Sequence, residues 1–162
     1  MRTFIVLLLL ALTPALSKAG SPDAPEGFAL WNSAQIKEVG DRLEKELGDK
    51  TIVYETLGNY KGHSVYLVLR GKTSFAEYHE TESDIQIGVR GTATFIVGGE
   101  LVNPEKRPRK QQRGSAISGG AKFTFSPGDI IHVPVAVPHV AIIEPGKPFM
   151  YILIKLDEEP LK

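Results

Sequence analysis

Residues 76–84 read AEYHETESD and set four carboxylates around one of the chain's four histidines. Residues two apart in a strand point the same way, so a strand over 73–79 puts Phe75, Glu77 and His79 on one face. Glu77 and His79 then stand side by side, and Asp84 arrives from the strand that follows. Mixed oxygen and nitrogen donors of this kind suit a divalent cation, whereas a solvated charged turn would need the acids only. A fourth group comes from SPGDIIHVPVAVPHVAII at 126–143. There Pro127-Gly128-Asp129 makes a tight turn, a strand follows, and Pro134 and Pro138 frame a loop ending on His139.

Carboxylates gathered in one place repel, and a buried one costs several kcal/mol unless it is paired or coordinated, roughly the penalty a divalent metal removes. Two imidazoles with one or two carboxylates suit manganese, iron or zinc, and residue types alone do not rank the three. Glu80 and Glu82 read as members of a solvated connecting turn. Asp84 differs, because the next strand alternates Asp84, Gln86, Gly88 and Arg90 against Ile85, Ile87 and Val89. If Asp84 is a ligand, that polar face turns inward and Gln86 lines a substrate pocket. The Ile85 face must then be covered by the N-terminal helix or by a partner subunit. Arg113 and His132 are weaker pocket candidates. His63 and His132 otherwise read as strand histidines satisfied locally, and Arg70 and Arg113 as surface ion-pairing residues that could also meet an anionic group.

The spacing of these two segments resembles the paired motifs of the cupin superfamily, G-x5-H-x-H-x3,4-E-x6-G and G-x5-P-x-G-x2-H-x3-N. The first falls on Gly71, Glu77, His79, Asp84 and Gly91, and the second on Gly128, Pro134, Ala136, His139 and Ile143. Glu77 replaces the first histidine, Asp84 the glutamate, Ala136 a glycine and Ile143 the asparagine, and the gap between motifs exceeds that of the shortest cupins. The resemblance spans about residues 60–156. It implies a double-stranded β-helix, the jelly-roll cupin barrel, holding a divalent metal through His79, His139 and Asp84. Glu77 is then a further ligand, an acid or base, or a residue that orients its neighbour. It also implies a metal-dependent enzyme of small molecules, either a lyase or isomerase using acid–base chemistry or a dioxygenase. The alternative is a non-catalytic cup for a sugar or organic acid, with a storage-like barrel third.

The elements that must position these groups are short. From Thr51 onward, β-branched and aromatic runs separated by Gly, Pro and Asn read as about nine strands of an all-β fold. One helix precedes them, capped by Asn32 or Ser33, carrying Ile36, Val39, Leu43 and Leu47 on one face and ending at Gly48. The basic stretch 103–120, NPEKRPRKQQRGSAISGG, reads as a long exposed loop with room for a small hairpin, either solvated or acting as a lid for an anionic ligand. A chain of 162 residues, 42% hydrophobic and 23% charged, suits one folded domain. Zero formal net charge argues against a nucleic-acid partner. Arg2, the apolar run 4–12 and Ser17-Lys18-Ala19 read as a cleaved signal peptide over 1–19. A leader and helix follow over 20–50 and the cupin barrel over 51–157. The expectation is therefore a soluble periplasmic or secreted protein with a small-molecule ligand, no membrane attachment after cleavage, and an open place for a homodimer. The absence of cysteine rules out a disulfide framework. No phosphate-cradling loop or nucleophile elbow is present in the sequence.

Overall fold

A computed structural model describes residues 24–158; the signal segment expected at 1–19 and its junction at Gly20 lie outside them. Contacts divide the chain between Trp31 and Asn32. On the N-terminal side, Phe28 N donates to Pro25 O at 3.1 Å and closes a turn. From Asn32 onward, helix α1 (Ser33–Leu47) starts with a full capping box, since Asn32 and Gln35 each accept the other's backbone N–H at 3.0 Å. Its buried Val39, Leu43 and Leu47 pack on Val53, Leu67, Leu69 and Met150. No helix among the described residues is long and apolar enough to cross a membrane.

The strands are β1 (Ile52–Tyr60), β2 (His63–Arg70), β3 (Ala76–His79), β4 (Glu82–Arg90), β5 (Ala93–Val97), β6 (Glu100–Val102) and β7 (Glu105–Arg107). They continue with β8 (Gln111–Gly114), β9 (Ala116–Ser118), β10 (Ala121–Phe125), β11 (Ile130–Val133), β12 (His139–Ile142) and β13 (Phe149–Asp157). All pairings are antiparallel, in a five-stranded sheet β1-β2-β13-β4-β11, a six-stranded sheet β10-β5-β12-β3-β8-β7 and a small pair β6-β9. Val68, Val133, Phe149 and Tyr151 from the first sheet meet Ala93, Phe95, Phe125 and Ala141 from the second. Each large apolar side chain buried there contributes about 1.5–3 kcal/mol. Hydrogen bonding does not join the two large sheets into one. The fold is thus all-β with one N-terminal helix, a jelly roll of two packed sheets, as the sequence led one to expect.

Two expectations need correction. The stretch 103–120 contains the small hairpin expected there, β7 with β8, but the rest is not a loop: β9 returns to β6, and β8 extends the six-stranded sheet beside β3. These runs are too polar and short to show an alternating pattern, and cross-strand pairing alone makes them strands. Glu82 is not in a solvated turn; β4 begins there, and Glu82, Asp84, Gln86 and Gly88 are all buried on its inner face. On the outer face Val89 and Ile152 pack at the edge of the cluster under α1, while Ile130 on β11 is 69% exposed.

Candidate metal centre

Three inward-facing side chains meet between the sheets. His79 ends β3, His139 begins β12 beside it, and Asp84 comes from β4 in the opposite sheet. The turn before His139 is tied to His79 directly, since Ala136 N donates to His79 O at 2.7 Å. His139 Nε2 lies 3.4 Å and His79 Nε2 4.0 Å from Asp84 Oδ2. One ligand atom from each residue falls within 4.8 Å of the others, and all three residues are buried. His139 Nδ1 is 3.0 Å from Val137 O and donates to it, which fixes the ring with Nε2 facing Asp84. His139 Nε2 and His79 Nδ1 are buried with no hydrogen-bond partner. His79 Nε2, His139 Nε2 and the Asp84 carboxylate form a donor set that fits a divalent metal, with a backbone carbonyl orienting one imidazole from behind.

Electrostatics agree with that fit. Burial raises the Asp84 pKa, but His139, Lys155 and His79 outweigh it and hold the carboxyl below the usual range. Burial and then the charge of Lys155 push the His79 imidazole down, so it is neutral, the form that ligates. Lys155 reaches in from β13, opposite Asp84 in register. Its Nζ lies 2.9 Å from Asp84 Oδ1, 3.1 Å from Glu82 Oε2 and 3.2 Å from His79 Nε2. Gln111 donates to the same Glu82 oxygen at 3.0 Å, and Arg109 approaches the other at 3.2 Å.

A cavity of about 220 Å³ opens beside the cluster, with Asp84 and His139 in its wall. Tyr54, Tyr66, Phe75, Phe95 and Tyr151 make much of its surface, and Arg70, Glu77, Gln86 and Lys155 supply polar groups. Arg70 donates to Glu77 Oε2 at 3.2 Å and to Tyr151 OH at 2.9 Å. Burial raises the Glu77 pKa, yet Arg70, His139 and His79 lower it further, so the carboxylate is ionised. A second, more polar cavity of about 300 Å³ includes Tyr60, His63, Arg109 and Asp157, and shares Tyr66 and Lys155 with the first.

His79, Asp84 and His139 therefore come together, while Glu77 stands on the cavity wall outside that trio, engaged by Arg70. Gln86 lines the cavity. Arg113 does not line it; it lies opposite Glu77 in register and its guanidinium stands 5.4 Å from the centre of the Phe75 ring. His132 is no pocket residue, because β11 turns it to the exposed outer face. Arg70 is no surface ion-pairing residue either, with a side chain only 12% exposed. Sequence reading missed Lys155, although Phe149, Tyr151, Leu153 and Lys155 alternate along β13 and place it on the inner face.

The two motif segments thus lie on neighbouring strands, β3 beside β12 in one sheet of the cupin-type jelly roll and β4 beside β11 in the other, with their imidazoles and carboxylate converging between the sheets. No model of a protein family matches the sequence, and no curated protein matches it. Among solved structures, the chain is similar to Rru_A2000 of Rhodospirillum rubrum, a cupin-2 domain, at 15% identity and TM-score 0.49, over 69% of this chain and 63% of that one. It is similar to the polyketide cyclase RemF of Streptomyces resistomycificus at 14% identity and TM-score 0.48, over 70% and 69%. KdgF of Halomonas sp. matches at 18% identity and TM-score 0.46, over 67% and 82%. Likenesses this distant carry nothing about activity, and the fold stands on its own strand order.

Proposed function

We propose that the protein is an enzyme acting on a small organic acid by acid–base chemistry, with a divalent metal held by His79, Asp84 and His139. The observation that carries this is the convergence of buried His79, Asp84 and His139, with one ligand atom from each within 4.8 Å of the others. The metal, when bound, would polarise an oxygen of the ligand. Charge favours an acid over a neutral sugar. Arg70 and Lys155 balance Glu77 and Asp84 in the cavity wall, so a divalent ion leaves a positive surplus that an anionic ligand answers. The aromatic wall would bury the ligand's apolar part and exclude water. Arg70 holds Glu77 by Oε2 and so orients Oε1 to receive a proton from the bound acid.

A binding role without turnover is the second reading, favoured by the tie of Glu77 to Arg70, which weakens it as a base. Two imidazoles and a carboxylate are also the donors of non-haem iron oxygenases, and strict oxygen dependence of turnover would move the reading there. We further place the protein outside the cytoplasm, periplasmic or secreted, on the character of residues 1–19. Elemental analysis of the purified full chain tests the metal centre. One divalent ion per chain is expected in the wild type and none in a His79→Ala/His139→Ala variant; equal content in the two overturns the assignment. Glu77→Gln should keep the ion and lose turnover of the acid.

A further inference from the structure

Lys155 is the group in the centre that a three-ligand metal site does not need. An ammonium has only hydrogens to offer, so at 3.2 Å His79 Nε2 must be the acceptor, with its lone pair on Nζ. The same Nζ takes Asp84 Oδ1 at 2.9 Å. Lys155 thus engages two of the three residues that a metal would use, and engages His79 through an atom able to ligate. It also has somewhere else to go. Glu82 Oε2 lies 3.1 Å away, and the side chain borders the polar cavity of about 300 Å³ as well as the ligand cavity.

We infer that Lys155 is a resident cation of the site, competing with the divalent metal for Asp84 and His79 and withdrawing toward Glu82 and the polar cavity when the metal binds. This rests on the metal reading above. Bringing a divalent ion beside an ammonium is unfavourable, and the bonds that Lys155 gives up must be repaid. Lys155 therefore keeps metal affinity below what two imidazoles and a carboxylate would reach by themselves. Glu82, held by Gln111, is the counter-charge that receives the lysine.

Isothermal titration of chelator-stripped full chain with Mn²⁺ and with Zn²⁺ tests this on the wild type, Lys155→Met and Lys155→Met/Glu82→Gln. The double variant removes one charge of each sign, and so covers the case where Lys155→Met leaves too much buried acid to fold. Either variant that folds should bind metal tighter than the wild type by about tenfold or more. Stripped Lys155→Met should melt below stripped wild type and recover at saturating metal. A purely structural lysine would lower the melting temperature without tightening binding. Equal or weaker affinity in the variants, with the wild type binding normally, overturns the inference and leaves the metal centre standing. Binding in the variants but not in the wild type overturns the inference together with the metal reading it rests on, because the native site is then no metal centre, and binding in none overturns both.

Discussion

Ala136 takes φ 59°, the left-handed region, in the turn that delivers His139. The cupin motif has glycine at this place, and a Cβ in that conformation costs about 1–2 kcal/mol. Glycine would remove the strain and loosen the unfolded chain, a cost of roughly 0.5–1 kcal/mol. Ala136→Gly should therefore stabilise the protein by up to about 1 kcal/mol, read as a higher midpoint in urea unfolding. An unchanged or lower midpoint would mean that the turn is held without strain. At this scale the sequence was most informative about His79, Asp84 and His139, whose spacing within two short segments carries the pattern. It was least informative about Lys155, which meets Asp84 across 71 residues, a distance that only strand order closes. Glu82 was misread for the same reason, since acid after acid looks like a turn until a lysine and a glutamine arrive from other strands.

Helix α1 was legible in full, from its cap at Asn32 to its end at Gly48, because apolar spacing and capping chemistry are local. It earns its place by covering the outer face of β1 and β2 through Leu43, which is 1% exposed. Leu43→Ala should cost about 2–5 kcal/mol in denaturant unfolding, for lost contact and for the cavity left behind. A loss below 1 kcal/mol would show that the helix packs loosely (about the level of a partial truncation). Strands β6 to β9 lie at the other extreme. Glu105-Lys106-Arg107 has no apolar face, and it is a strand only because Gln111-Gln112-Arg113 pairs with it on one side and with β3 on the other. No single-chain pattern carries that information, since it resides in the partner strand. The outcome matters to the site, because this added strand brings Gln111 to Glu82.

On the scale of the molecule, short β-branched and aromatic runs punctuated by Gly, Pro and Asn indicated an all-β jelly roll with a single helix, while the order of strands within each sheet depends on pairings between distant segments. Export is argued at this scale too: if residues 1–19 are a signal, the intact mass of secreted protein should match a chain beginning at Gly20, and a secreted form retaining Arg2 would refute the cleavage. The five-stranded sheet has one further consequence. Its middle strand is β13, Phe149–Asp157, which separates β2 from β4 and supplies both Tyr151 and Lys155 to the cavity. During synthesis, β2 and β4 therefore leave the ribosome long before the strand that joins them, and each waits with an open edge. At ordinary translation rates of about 5–20 residues per second, that interval lasts several seconds. The β1–β2 and β4–β11 pairs can form without β13, but the sheet cannot be completed until it is made, and a ribosome stalled before residue 149 would present a chain with neither a complete sheet nor a site.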